Sequence, residues 1–147
     1  VKELGFHTKL DSNGTHPQMI KELISNNLVD YIAMDIKGPL ENYQKIVAYP
    51  VDVNAVQESI DIIIASNVER EFRTTVVKSQ IYFDPQGNDD FDKIGMLIEG
   101  QPRFALQKFR AGRTLNPRFE RETTYTDEEF ELIKDKMKKY VNLCVVH

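Results

Sequence analysis

Stretches with the composition of β-strands alternate with stretches of helical periodicity along this whole chain. That alternation restricts the fold more than any other feature. Residues 6–12, 28–37, 69–77 and 103–109 read as strands, rich in β-branched and aromatic side chains, and 142–147 reads as a fifth. After the first, Pro17 suits an opening helical turn, and Ile20, Leu23 and Ile24 lie on one helical stripe. After the second comes an irregular connector with a short helix around Tyr43. Asp52 then caps a helix whose Val53, Val56, Ile60, Ile63 and Ile64 share a face. Phe91, Ile94, Leu97 and Ile98 mark the next helix, with Gly100 at its end, and Thr126 with Glu129 forms a capping box before Phe130, Ile133, Met137 and Tyr140.

Strands joined through helices pair in parallel with right-handed crossovers. The expected fold is therefore α/β, about five mainly parallel strands, either an open doubly wound sheet or part of a barrel. The nearly continuous apolar interior of residues 28–37 predicts a strand covered on both faces. At 147 residues the chain is long enough for one domain with a real core.

Both architectures bind ligands at the carboxyl ends of the strands. The first strand ends in Asp11, Ser12, Asn13 and Gly14. The second carries Asp35 and Lys37, two apart and so on one face; the third carries Arg73 and Thr75 with Glu71 on their side; the fourth carries Gln107, Phe109 and Arg110. Each has a plain structural reading: Asp35 and Lys37 can pair with each other, Arg73 can reach the rim, and Gln107 can satisfy a backbone group. Together they suit a small zwitterion with hydroxyls and a carboxylate. Lysine or arginine would hold the carboxylate, and aspartate would accept from ribose hydroxyls or an ammonium group, or bind a cation.

Other chemistries lack their motifs. There is no phosphate-binding G-x-x-x-x-G-K-[ST], no G-x-G-x-x-G and no G-x-S-x-G elbow. His7, His16 and His147 have no metal-ligand spacing. The single cysteine, Cys144, reads as core packing, excludes an internal disulfide, and excludes an all-cysteine cluster site made by this chain alone. The net charge of −4 gives no general attraction for nucleic acid, and no apolar run approaches the roughly 20 residues of a membrane span.

The segments KLDSNGT, VDYIAMDIKGP, EFRTTVV and ALQKFR, in this order and spacing, resemble the later strands of radical S-adenosylmethionine enzymes that activate glycyl radical enzymes. The anaerobic ribonucleoside-triphosphate reductase activating type is closest, with the pyruvate formate-lyase activating type as a cousin. The resemblance covers nearly the whole chain and implies a partial (βα) barrel, open on one side. S-adenosylmethionine would lie across the carboxyl ends of the strands, with Asp35 and Lys37 as an Asp-x-Lys motif near its methionyl and ribose parts. Arg73 and Thr75 would line the same cavity, Gln107 and Phe109 would approach ribose and adenine, and Asn13 would border the site. Asp11, Ser12 and Asp35 would flank a monovalent cation.

The family also uses three cysteines of a Cys-x-x-x-Cys-x-x-Cys motif to hold a 4Fe–4S cluster, which delivers an electron, often from flavodoxin, to cleave the cofactor. Those cysteines are absent here, so the resemblance reads residues 1–147 as the C-terminal part of one such domain, truncated ahead of its cluster-binding strands. Such a fragment is expected to be inactive alone, to come from a cytoplasmic protein, and to dimerise through an exposed edge or leave an unpaired strand near residues 6–12. No residue here is expected to be catalytic. The basic loop with Arg110, Arg113, Arg118 and Arg121 reads either as solvated or as a docking surface for the glycyl radical enzyme. Two readings compete: a complete non-redox α/β module that binds a nucleoside or regulates a partner, and a divalent-metal enzyme using Asp11, Asp35 and Glu71.

Overall fold

The computed structural model describes residues 1–112 and 117–147, with the backbone alone for Arg118. Five strands form one parallel sheet in the order β1-β2-β3-β4-β5: β1 (Lys9–Ser12), β2 (Tyr31–Asp35), β3 (Glu69–Val76), β4 (Phe104–Lys108) and β5 (Cys144–Val146). The helices are α1 (Pro17–Ser25), α2 (Tyr43–Val47), α3 (Val53–Ala65), α4 (Asp90–Leu97) and α5 (Asp127–Met137).

The strand order decides between the two architectures. It never reverses, so it contains no switch point of the doubly wound kind. With right-handed crossovers, a sheet that always advances in one direction receives its crossover helices on one face. Burial follows that rule. Ile32, Met34 and Ile36, then Phe72, Thr74 and Val76, then Phe104 and Leu106 point to the helix side and are fully buried. They join Ile60 and Ile63 of α3, Phe91 and Ile94 of α4, and Phe130 and Ile133 of α5 in one core. Asp52 accepts from the Asn54 N–H, and Thr126 with Glu129 closes a capping box, as their sequence positions predict.

The opposite face has no helical layer among the described residues, which corrects the expectation that β2 is covered on both sides. Its Tyr31 and Asp35 are half-buried. Ala33 between them is buried because longer charged side chains flank it. The sheet is a curved segment of barrel wall in its order and sidedness, and it does not close.

The strands are shorter than their apolar runs. The Thr8 N–H donates to the Asp30 carboxylate at 2.7 Å, and Thr8 Oγ1 donates to the Leu28 carbonyl at 2.6 Å. The Thr8 carbonyl also accepts from the Asp30 and Tyr31 N–H groups, at 2.9 and 3.2 Å, so side-chain bonds supplement a distorted backbone pairing ahead of the regular ladder at Lys9 and Tyr31. Beyond β2, the Lys37 N–H donates to the Tyr43 hydroxyl at 3.2 Å and the chain turns away. Phe109 likewise lies past the end of β4. β1 is an edge strand, four residues long and paired on one side by β2.

Candidate functional site

Register places the polar residues. Asp11 is level with Ala33, Asp35 with Arg73, Arg73 with Ala105, and Thr75 with Gln107. All of these belong to the face without helices, because residues two apart on a strand share a side. The small side chains of Ala33 and Ala105 leave room between strands for the long ones to meet.

Arg73 is the centre. Its Nη1 donates to Asp11 Oδ1 at 2.6 Å and its Nε to Asp35 Oδ1 at 2.8 Å. Lys37 Nζ donates to the other oxygen of Asp35 at 2.9 Å. One guanidinium therefore ties β1, β2 and β3 together near their carboxyl ends. Burial alone would lower the Arg73 pKa; the hydrogen bonds and charges of Asp35 and then Asp11 outweigh it, so the group is held above its ordinary value.

A cleft of about 390 Å³ opens beside this cluster. Asp11, Ser12, Asn13, His16, Asp35 and Arg73 give it a polar wall, and Leu10, Met19, Ile20 and Leu23 give it an apolar one. The turn after β1 is self-bonded: Ser12 Oγ accepts from the Gly14 N–H at 3.0 Å, and Asn13 Oδ1 accepts from the Thr15 N–H and hydroxyl at 3.1 and 2.8 Å. Gly14 sits at φ +75°, and its carbonyl accepts from the buried Ser59 hydroxyl at 2.7 Å.

The structure thus joins Asp11, Asp35, Lys37 and Arg73 directly, with Ser12 and Asn13 at the rim of the same cleft. Gln107 stands one strand further on, where its Oε1 accepts from Thr75 Oγ1 at 3.1 Å. Phe109 packs against Phe119 with ring centroids 6.3 Å apart. Thr75, Gln107, Phe109 and Lys37 do not line the cleft itself.

Glu71 is drawn elsewhere. Its carboxylate accepts from Arg103 at 2.9 Å and lies 3.7 Å from Lys9, whose ammonium sits over the Tyr31 ring. The three acids Asp11, Asp35 and Glu71 are therefore each matched to cations rather than gathered, and among the described residues no group of three His, Cys, Asp or Glu is placed to hold a metal ion. This corrects the divalent-metal reading. Cys144 is buried in β5, and that burial pushes its thiol up to about 12, so it offers no thiolate; the residues of this chain do not fit a 4Fe–4S cluster. Of the basic loop, Arg110 and Arg121 are exposed, while Arg113 lies outside the described residues.

Sequence reasoning missed four contributors. Met19 and Leu23 form the apolar wall, and their signal was the amphipathic stripe of α1. Tyr43 is buried and fixes the backbone at Lys37 through its hydroxyl, yet a tyrosine in an irregular connector carries no sequence signal for that role. Arg103 continues the alternation of Ala105 and Gln107 to the residue just ahead of β4, where it meets Glu71.

No family model matches the chain. A protein of Methanocaldococcus jannaschii, named as a glycyl-radical enzyme activating enzyme, is 31% identical over 150 residues, spanning 99% of this chain and 60% of that protein. The chain thus covers less than two thirds of the length of that curated relative. The crystal structure of a domain of pyruvate-formate lyase-activating enzyme from Bacteroides vulgatus is similar with a TM-score of 0.72 at 11% identity, covering 99% of this chain and 84% of that one. At that identity the likeness is one of fold, and it agrees with an open parallel sheet of the partial-barrel kind.

Proposed function

We propose that residues 1–147 are the C-terminal part of a partial-barrel domain belonging to an iron–sulfur radical S-adenosylmethionine activase, which generates a glycyl radical on a partner enzyme. The observation that carries this reading is the similarity to the methanogen activating enzyme along 99% of the chain. The Asp11–Arg73–Asp35–Lys37 cluster at the carboxyl ends of the strands supports it. In this reading S-adenosylmethionine is the ligand of the mouth. Lys37 and Arg73 hold its carboxylate, Asp35 accepts from its ammonium or ribose hydroxyls, and Thr75, Gln107 and Phe109 receive the nucleoside side. Asp11, Ser12 and Asp35 border a monovalent cation, with Asn13 at the rim. A 4Fe–4S cluster would be held by cysteines outside these residues, and it would supply the reducing electron. The partner is anaerobic ribonucleotide reductase, flavodoxin is the electron donor, the protein works in the cytoplasm, and Arg110 and Arg121 face the partner. The free edge of β1 is the surface through which an isolated 147-residue chain would dimerise.

The reading frame ahead of Val1 and an anoxic assay test this together. Three cysteines spaced by three and two residues should precede Val1. The protein carrying them, reconstituted with iron and sulfide and reduced, should release 5′-deoxyadenosine and activate ribonucleotide reductase rather than pyruvate formate-lyase. The 147-residue chain alone should release none; release from it would refute the assignment. A second reading rests on Cys144, which is unsuited to a cluster: a complete non-redox module binding a nucleoside-like zwitterion. An initiation codon at Val1, with cofactor binding but no turnover, would favour it.

A further inference from the structure

A buried charge among the helices takes no part in the function proposed above. Lys136 of α5 is 8% exposed. Its Nζ lies 2.9 Å from the Asp84 carbonyl, 2.8 Å from the Gly87 carbonyl, 2.8 Å from Asp89 Oδ2 and 2.9 Å from Asp92 Oδ2. An ammonium has three N–H bonds, so four oxygens at nearly equal distance surround it as oxygens surround an ion, without one proton for each.

The oxygens are fixed by partners other than the lysine. Asp89 Oδ1 accepts from the N–H groups of Phe91 and Asp92, and Asp89 Oδ2 accepts from the Asp84 N–H. Asp92 Oδ2 accepts from the Asp89 N–H, and Asp92 Oδ1 accepts from the Tyr140 hydroxyl. Two carbonyls from the connection after β3 and two carboxylates from the start of α4 thus converge on one point. The distances exceed the roughly 2.3–2.6 Å that calcium takes from oxygen, so the space suits a larger monovalent cation.

We propose that residues 84–92 form a monovalent-cation cradle whose resident ion is the ammonium of Lys136, and that a free alkylammonium ion enters it when this side chain is cut back. The cradle holds the connection that leaves the carboxyl end of β3. That connection is held a second time by Tyr125, whose hydroxyl donates to the Ile81 carbonyl at 2.9 Å and accepts from the Phe83 N–H at 3.0 Å. The path of the connection after β3 is therefore set partly by an ion buried against α4.

Lys136→Ala removes the side chain from Cγ to Nζ, which is the skeleton of n-propylammonium. The variant should melt lower by on the order of 10 °C, because two buried carboxylates lose their counter-charge. Excess n-propylammonium should restore at least half of that loss, while tetramethylammonium at the same concentration, with equal charge and no N–H, should restore none. Equal restoration by the two salts, or none by propylammonium, would overturn the proposal. The unaltered protein supplies a readout that does not depend on the variant's folding. A caged ammonium exchanges its protons slowly, so Lys136 should give a resolved NH3 resonance at neutral pH under conditions where exposed lysines give none. Absence of that resonance would equally overturn it.

Discussion

Gly14→Ala is the change whose cost follows most directly from the coordinates. Gly14 holds φ +75°, in the left-handed region where an L-residue loses about 1–2 kcal/mol. The new Cβ would overlap the Met34 Cε outright and touch Ser59 Cβ at 3.5 Å. Met34 is fully buried between β2 and the helices, so its sulfur end has little room to move. Overpacking of that kind costs a further 1–3 kcal/mol or so. The total is about 2–5 kcal/mol, and Gly14→Ala should lower the urea midpoint by roughly 1–2.5 M at unchanged slope. Met34→Ala makes the argument separable. It is itself destabilising by about 2–5 kcal/mol through its cavity, but it removes the atom that collides. The double variant should therefore be more stable than the sum of the single effects by about 1–3 kcal/mol, leaving only the backbone cost. Additivity within about 0.5 kcal/mol would show that Met34 does not confine the turn. A Gly14→Ala protein as stable as its parent would refute the whole account of the β1–α1 turn.

Arg73→Gln should release Asp11 and Asp35 together; with the guanidinium 17% exposed and Asp11 55% exposed, the loss should be about 1–2 kcal/mol in a urea titration, with most of it from Asp35. A loss indistinguishable from zero would mean that the bridge does not persist in solution. Asp30 is held down to about 2, first by the Lys2 ammonium and then by the Thr8 N–H, against an ordinary value of 3.8. Its stabilising contribution is therefore complete above pH 4 and disappears as pH falls toward 2. Carbon-detected NMR should find that titration midpoint, and Lys2→Met should move it upward; an Asp30 midpoint near the ordinary value in the parent would reject the contact. Cys144, pushed up to about 12 by burial, should react with a thiol reagent at mild alkaline pH only after urea unfolding; prompt reaction in the native state would contradict its placement in β5.

The order of elements was legible in the sequence because each strand and helix carries its own period, and Asp52, Thr126 and Glu129 mark starts by chemistry local to the chain. Strand limits were less legible. Residues 28–30 look like strand by composition, yet the Asp30 carboxylate captures the Thr8 N–H, a choice made 22 residues away. The two-sided reading of β2 failed for a related reason: a small apolar residue such as Ala33 reads as core, whereas here it lies beneath neighbouring charged side chains. Spacing by two put Asp35 with Lys37 and Arg73 with Thr75, and the structure keeps both pairs on one face. Which acid Arg73 meets depends on register between three strands, which no single segment encodes. Lys136 was invisible for the same cause, since it sits in a run of surface-like charges and its oxygens come from 44 to 52 residues earlier.

The site's charges also limit what the mouth accepts. Asp35 already accepts from both Lys37 and Arg73, and Arg73 also donates to Asp11. Neither cation is idle, so an incoming carboxylate must share Lys37 or Arg73 with the acids they already hold, using further N–H groups of the same ammonium or guanidinium. A purely anionic ligand would set one more negative charge beside Asp35, whose side chain is 25% exposed and partly desolvated. A ligand that brings its own cation or hydroxyl donors beside the carboxylate offsets that charge, and the site stays near neutral. On the proposed reading, the ion-paired cluster would favour a ligand that brings donor and acceptor together, within reach of one aspartate. An amino-acid sulfonium meets that preference with its own ammonium group; a simple carboxylate of the same size does not.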